Sequence, residues 1–474
     1  MATDVVRLPA IVAGEELNDA STEVRSPWTN EVVGLVPWLG ADAARSAVDG
    51  AAAAMREPLP AHERAAILDR VVIELSERRE EFAQLMTSEN GKPVKQALIE
   101  VDRCIQTLTF SAVEARTLAG RGIPLDAHPA GVGHFGFTIR VPIGVVGAIT
   151  PFNFPLTLTA HKVGPAIAAG CGVVLKPAAK TPLVATELVR VFHRQGLPPQ
   201  MLSVLVGPAA EISQVLIEDD RVGLITFTGS SEVGWKLREM APRKRVTLEL
   251  GNSTPMIVCA DADLRAAATA AAASGFAFSG QSCISVQRVI VDRDVHDDFV
   301  AFLAEAARQQ KVGDPADPQV DCGPSINREA RDRVADWIEQ ATSGGATVVE
   351  GGTFAGDHIG PTVLDDVDPA ASVWMEEAFG PVISVRASKG LDEAIDLANG
   401  TSFGLQAGVF THDISAALDA MLRLEFGGVT INQAPQFRVD QMPYGGTKSS
   451  GNTKEGPHNA IREMTEERMV VFRH

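Results

Sequence analysis

IGVVGAITPFNFPLTLTAHKVGPAIAAGCGVVLKPAAKTP, residues 143–182, places two short apolar runs on either side of a stretch with helical character. The runs at 143–149 and 172–176 are too short for helices and show no strict apolar–polar alternation. Each therefore reads as a strand buried on both faces. The rhythm continues downstream. SVLV (203–206) and GLITF (223–227) are further apolar runs, and helical stretches at 157–169, 181–195 and 209–218 separate the four. Strands alternating with helices, without amphipathic patterning in the strands, predict a doubly wound α/β domain built on a parallel sheet.

A second α/β series begins after Gly251, with PMIVC (255–259) and RVIVD (288–292) as strands and the alanine-rich 262–279 as a helix. Upstream, residues 41–90 read as helix. Ile67, Leu68, Val71, Val72 and Leu75 recur at three- and four-residue spacing, with Arg64, Glu74, Glu77 and Arg78 between them. Pro124–Arg140 is glycine-rich with β-type residues, and Arg468–Phe472 is another short β run; neither has an obvious local partner. At 474 residues the chain exceeds what one hydrophobic core usually supports, so two or three domains are expected.

The bulk numbers exclude several classes. A net charge of −18 argues against nucleic acid, which is bound by basic patches that release counterions. The apolar run at 166–175 falls far short of the ~20 residues a membrane span needs. The start, MATDVVRLPAIVAGEE, has no basic segment followed by a long apolar one, so it does not read as a secretory signal. The five cysteines, Cys104, Cys171, Cys259, Cys283 and Cys322, are scattered and form no CxxC pair. They suggest neither a disulfide framework nor a metal site, and a reducing, cytoplasmic setting fits them.

Four segments carry chemistry. FSGQSCISVQRV (278–289) holds Cys283. VTLELGN (246–252) holds Glu249, 34 residues earlier. TPFNFP (150–155) holds Asn153, and FTGSSEVG (227–234) is a glycine-bounded turn closing an apolar strand. A thiol and a carboxylate fix a reaction class only if a third group can hold a developing oxyanion and a cofactor can take electrons; Asn153 and the turn at Gly229 are candidates for these. Taken alone, a free cysteine is more often a small core residue, and that reading is kept for Cys104, Cys171, Cys259 and Cys322. GxxxxG alone is weak evidence for a phosphate site, and no GxGxxG fingerprint stands at a suitable strand end.

Together these segments closely resemble the aldehyde dehydrogenase superfamily, from roughly Pro27 to the C-terminus. The resemblance implies oxidation of an aldehyde to the carboxylic acid. The thiol of Cys283 adds to the carbonyl, the adduct gives hydride to NAD(P), and Glu249 activates the water that hydrolyses the resulting thioester. Asn153 and the backbone N–H of Cys283 would hold the oxyanion. Cofactor contacts are implied at Thr150, Pro151, Phe152 and Leu250. Lys176 would meet the adenosine ribose, Gly229, Ser230 and Gly234 the pyrophosphate, and Glu377 with Phe379 the nicotinamide ribose. Family members that prefer NAD often carry a glutamate where this chain has Ala179. Its absence, with Lys180 adjacent, permits NADP, so use of NAD or NADP is expected.

Arg103, His161 and Arg438 resemble positions in the branch that handles lactaldehyde and small phosphonate-, sulfonate- or phosphate-bearing aldehydes, where arginines recognise the anion. Each also reads as a structural ion-pair or helix residue. Some relatives place an arginine just before the nucleophile; here it is Ser282, which weakens the phosphonate reading. Two further departures stand out. Asn252 replaces a usual second glycine, where a side chain would narrow the cofactor cleft or reposition Glu249. The usual SGxGRE reads SGNTKEG, with Asn452, Thr453 and Lys454 affecting a loop at the substrate entrance.

The implied domains are a dinucleotide-binding domain (1–123 and 142–250), a catalytic domain (251–432) and a β oligomerisation arm (124–141 and 433–474). The arm implies a homodimer or tetramer. The rival activity is CoA-acylating semialdehyde dehydrogenation, in which a thiol replaces water; members that do this typically lack the glutamate base. A catalytically idle structural relative is the rival of another class.

Overall fold

The computed structural model describes residues 5–355 and 358–473. The outermost positions of the expected domain boundaries, 1–4 and 474, lie outside the described residues. The apolar runs at 143–149, 172–176, 203–206 and 223–227 form strands Val145–Ile149, Val173–Lys176, Leu202–Val204 and Val222–Thr228, joined by Arg245–Glu249. All five are parallel. Numbered along the chain, their spatial order is 5-4-1-2-3, and an antiparallel hairpin, Ala10–Val12 and Glu15–Leu17, completes a seven-stranded sheet. That N-terminal hairpin is not evident in the pattern, because three-residue strands carry too little periodicity to read.

Side-chain alternation explains why both faces are covered. Val146, Ala148, Val173, Leu175 and Leu224 point to one face, under the helices Ala61–Glu77, Val94–Thr117, Thr157–Ala169 and Leu183–Arg194. Val145, Ile149, Val174, Ile225 and Phe227 point to the other, under Ala41–Ala54, Ala209–Glu218 and Ser231–Met240. The expected helical block 41–90 is three helices, broken after Ala54 and again at Arg78.

The strand order reverses between Val145–Ile149 and Val222–Thr228. In open parallel sheets ligands bind in the crevice at the carboxyl ends of the two strands flanking such a reversal. Thr150–Asn153 and Gly229 leave those two ends. The topology therefore selects the segments that the motifs had singled out.

The second sheet is also seven-stranded. Its six parallel strands, Thr362–Asp365, Val382–Ser388, Val286–Asp292, Thr254–Val258, Gln406–Phe410 and Gly428–Ile431, lie side by side, with Thr347–Glu350 antiparallel at one edge. The remaining β segments answer the partner question directly. Strand His134–Pro142 pairs with Thr465–Arg473 in a nine-residue antiparallel ladder, and Gly122–Ile123 adds a short third strand. Of the segment 433–474, only this last strand joins the arm. Residues 436–455 reach into the cleft described below, and helix Pro457–Glu463 packs against Thr157–Ala169.

Candidate active site

Cys283 reaches the cleft because the chain doubles back just before it. Helix Leu264–Phe276 ends in a tight turn where Phe278 and Ser279 take left-handed φ of 49° and 55°. Gly280 follows at φ 70°, and a Cβ there would lie 2.0 Å from the Gly380 carbonyl oxygen, so only glycine fits. The thiol opens onto a cavity of about 850 Å³ that also contacts Asn153, Glu249, Glu377, Phe379, Arg103 and Arg438. Cys104, Cys171 and Cys322 are buried in the core and Cys259 is half-buried; none lines the cavity.

Asn153 is held from two sides. Its Nδ2 donates to the Gln281 carbonyl at 3.0 Å, two residues before the thiol, leaving the second amide proton available. Its own carbonyl accepts from Lys92 Nζ at 2.7 Å. The ammonium of Lys92 is ion-paired with Glu100 and lies over the rings of Phe154 and Phe278, at 3.8 and 4.6 Å from their centroids. Glu100 in turn accepts from the backbone N–H groups of Leu156 and Thr157 at 3.0 and 3.1 Å, at the start of the helix that follows. A buried ion pair thus fixes the amide's position relative to the thiol.

Glu249 ends the fifth parallel strand of the first sheet. Both carboxylate oxygens are buried and have no hydrogen-bond partner among the described residues. Burial, and then the neighbouring carboxylate of Glu455, push its pKa well above the usual carboxylate range. Burial acts on Glu455 in the same sense, but Lys162, His161 and Arg438 outweigh it and hold that carboxyl below its usual range. The pair is therefore polarised into one carboxylate that stays charged and one poised to take a proton.

Glu377 accepts from the Asn252 N–H at 3.1 Å. A Cβ at Gly251 would lie 2.5 Å from its carboxylate, so this glycine admits the close approach. Burial raises the Glu377 pKa to about 7, opposed by the Asn252 N–H and Arg333. Phe379 takes a left-handed φ of 48° and packs edge-on to Phe152, with ring centroids 5.7 Å apart. At the strand-order reversal the buried hydroxyls of Thr150 and Thr228 have no partner among the described residues. Ser230 caps the helix Ser231–Met240. Lys176 is buried, its ammonium donates to the Pro177 carbonyl at 3.2 Å, and burial lowers its pKa. Ala179 is half-buried and Lys180 exposed.

The three candidate substrate residues are brought together, through two acids that the sequence reading did not name. Arg103 and His161 both approach Asp440 Oδ1, at 3.0 and 3.1 Å. Arg438 Nη2 lies 3.0 Å from His161 Nε2 and donates to Glu455 Oε2 at 3.1 Å. Burial, then Arg438, lower the pKa of His161, opposed by Asp440 and Glu455. His161 is not in the cavity wall; it braces Arg438 from behind. Glu455 sits in the SGNTKEG segment and Asp440 two residues after Arg438, but only their folded contacts mark them and Tyr444.

The departures from the family pattern prove local. The Asn252 side chain turns away from the cleft, donating to Thr254 Oγ1 at 2.8 Å and the Gln406 carbonyl at 3.2 Å, and accepting from the Leu405 N–H at 3.3 Å. Thr254 Oγ1 then donates to the Cys283 carbonyl at 3.1 Å. The expected narrowing does not occur, because the strand Gln406–Phe410 supplies better partners. Asn452 lies along the edge strand Arg245–Glu249, accepting from the Leu248 N–H at 2.9 Å and donating to the Val246 carbonyl at 3.0 Å. Lys454 donates to the carbonyls of Gly427 and Gly445. Ser282 is buried, and its hydroxyl accepts from the Ile284 N–H at 3.4 Å.

Residues 13–470 match the sequence model of the aldehyde dehydrogenase family. The 3-sulfolactaldehyde dehydrogenase of Priestia aryabhattai is 41% identical over 471 residues, covering 99% of each chain. The lactaldehyde dehydrogenase of Methanocaldococcus jannaschii is 36% identical over 467 residues, 97% of this chain and 99% of that protein. Among solved structures, aldehyde dehydrogenase 21 from Physcomitrella patens, in complex with the reaction product succinate, superposes with a TM-score of 0.95 at 37% identity, covering 99% of this chain and 98% of that one. The glyceraldehyde-3-phosphate dehydrogenase GapN from M. jannaschii, complexed with NADP, gives 0.93 at 36% identity over 97% and 100%. With a whole-length match, the same fold and this constellation of thiol, carboxyls and amide in one cleft, the chain belongs to the aldehyde dehydrogenase family.

Proposed function

We propose that this protein oxidises a short aldehyde bearing a hydroxyl or anionic group to its carboxylic acid, using NAD or NADP, by covalent catalysis at Cys283 and hydrolysis. Convergence of Cys283, Asn153 and the unpartnered carboxyl of Glu249 on one cavity carries the reading. The thiolate of Cys283 attacks the carbonyl carbon. The free amide proton of Asn153 and the Cys283 N–H receive the charge that develops on oxygen, in positions set before substrate arrives. When bound, NAD or NADP would supply the hydride acceptor, leaving a thioester on Cys283. Glu249 then takes a proton from the water that cleaves the thioester. With no hydrogen-bond partner among the described residues, its oxygens are free to do so.

The residues present fit a dinucleotide. The orphaned hydroxyls of Thr150 and Thr228 lie where the strand order reverses, and the Gly251 cradle beside Glu377 lines the same cavity. Lys176 and the Ala179–Lys180 turn would hold the adenosine ribose, the Gly229–Ser230 turn and Gly234 the pyrophosphate, and Glu377 with Phe379 the second ribose. Pro151, Phe152 and Leu250 border the same space.

An anionic substrate group is supported by the Nε–H groups of Arg103 and Arg438. Both are buried without a partner among the described residues, and both arginines line the cavity. The 3-sulfolactaldehyde, lactaldehyde and aspartate-semialdehyde dehydrogenases among the relatives point the same way. The test is turnover of sulfolactaldehyde, lactaldehyde, succinate semialdehyde and a neutral aldehyde of similar length with each cofactor. Preference for the neutral aldehyde, or an active Cys283→Ala variant, would defeat the proposal.

Assembly is proposed on surface chemistry. Helix Ile414–Arg423 exposes Ile414 (71%), Leu418 (49%), Met421 (51%) and Leu422 (78%) in one stripe, beside the edge strand Gly428–Ile431. The arm exposes Phe135, Met469, Val471 and Phe472. Bare sheet edges and apolar stripes of this kind are covered by a second copy in a homodimer or tetramer. No helix among the described residues is long and apolar enough to cross a membrane. The five unpaired thiols support a cytoplasmic setting.

A further inference from the structure

The sulfur of Cys283 lies 3.1 Å from the hydroxyl of Tyr444, a contact closed across 161 residues of chain. Tyr444 is the protein's single tyrosine. It is only 4% exposed, and its ring packs with Ile284 and Leu405 beside Cys283. The Arg438 guanidinium lies over that ring, 3.8 Å from the centroid. Glu455 and His161 hold the guanidinium there. The backbones of Tyr444 and Glu455 exchange hydrogen bonds, N–H to carbonyl at 3.1 and 2.5 Å, which fixes the ring relative to the cation. A phenol aimed at a sulfur with a cation on its face is more than packing requires, since phenylalanine would fill the same space.

The charges facing this contact set what the hydroxyl has to do. Cys283 faces Glu377 and Glu249, with Arg438 behind, and Tyr444 faces Arg438 and Glu249. Lys454 and Glu455 lie next to Glu249. Burial pushes the Cys283 thiol up to about 12; the two carboxyls add to this, while the Tyr444 hydrogen bond and Arg438 oppose it. A nucleophilic thiolate therefore needs donors, and the donor in contact is the phenol.

We infer that Tyr444 is a further catalytic residue: its hydroxyl donates a hydrogen bond to the sulfur of Cys283 and stabilises the thiolate, while Arg438 on the ring face holds and polarises the phenol. Hydrogen bonds to an ionised acceptor are about twice as strong as neutral ones, and a donor to the charged form favours that form. A cation over an aromatic face binds it electrostatically and leaves the O–H free to point at sulfur. The inference rests on Cys283 being the nucleophile.

The test uses the pH dependence of Cys283 alkylation by iodoacetamide, in which the thiolate forms an S–C bond and iodide leaves, so the rate follows the thiolate fraction. Tyr444→Phe keeps the ring, the apolar cluster and the cation contact, and removes only the donor. The pH of half-maximal alkylation should rise by about 1, and the single-turnover rate at neutral pH should fall about tenfold with KM little changed. Because Tyr444 is the single tyrosine, replacing tyrosine with 3-fluorotyrosine during expression alters this site alone. The more acidic phenol is a better donor, so the midpoint should move down, and the fluorine NMR signal should titrate with the same midpoint. The fluorinated protein decides the matter if Tyr444→Phe does not fold. Coincident alkylation profiles in wild type and the altered proteins would overturn the role of Tyr444. Cys283→Ala separates the two readings. An active Cys283→Ala enzyme removes the nucleophile, whereas an inactive one with coincident profiles removes only Tyr444.

Discussion

Glu249→Gln should nearly stop turnover without weakening the fold, and these two effects together distinguish a base from a structural carboxylate. The side chain keeps its shape but can no longer accept a proton from water. Removing a positioned base costs about 10²–10⁴ in rate, equivalent to about 3–5.5 kcal/mol of barrier. Acylation does not use this base, so rapid mixing should show a burst of about one reduced cofactor per site followed by a slow steady rate. In wild type the steady rate should climb as pH rises through the elevated Glu249 pKa, and in the variant that limb should disappear. For stability the sign is opposite. A buried carboxyl with both oxygens unpartnered resists ionisation, and its raised pKa means the native state loses stability as pH rises from the ordinary carboxylate range through the elevated value. Glutamine removes that loss. The melting temperature should stay level or rise by about 1–2 °C at pH 8, and the difference should vanish near pH 4. Steady turnover within twofold of wild type would refute the argument. So would a fall in melting temperature of several degrees. Added CoA restoring fast turnover with an acyl-CoA product would replace hydrolysis with the acylating alternative.

Lys92→Met strands the buried Glu100 carboxylate and frees the Asn153 turn. It should cost about 3–5 kcal/mol in denaturant unfolding and lower kcat more than it raises KM, and a near-neutral effect would contradict the bracing role given to the ion pair. Ala179→Glu places a carboxylate where it accepts from both ribose hydroxyls and repels a 2′-phosphate. The ratio of specificity constants should shift toward NAD by about tenfold, about 1.4 kcal/mol, and an unchanged ratio would remove Ala179 from the cofactor site. Leu422→Glu puts a charge in the apolar stripe of the helix Ile414–Arg423 and should lower the mass measured by light scattering; a wild-type monomer at micromolar concentration would refute the assembly proposal outright.

The residues proposed to meet the substrate were legible as types within fixed local patterns. A buried strand must be apolar on both faces, so 143–149, 172–176 and 223–227 announced a parallel sheet, and the observed strands differ from those runs by one or two residues at their ends. Cys283, Glu249 and Asn153 stood out because each lies in a distinctive local motif. Other features depend on contacts between distant segments, which periodicity does not encode. The three-residue strand Ala10–Val12 joins the first sheet only because Leu202–Val204 offers it an edge. The strands His134–Pro142 and Thr465–Arg473 lack local partners because each is the other's partner, more than 320 residues away by their numbering. Asn252 looked like an obstruction until Gln406 and Leu405 gave its amide somewhere better to point. Tyr444, Asp440 and Glu455 are ordinary residues in the sequence. They gain their roles where a phenol meets a sulfur, an acid meets an arginine and a histidine, and a second acid sits beside Glu249. Sequence alone determined which reacting groups the chain owns. Their charge states and hydrogen-bond partners were decided by folding, because burial and the nearest opposing charge set a pKa, and both are properties of the tertiary structure.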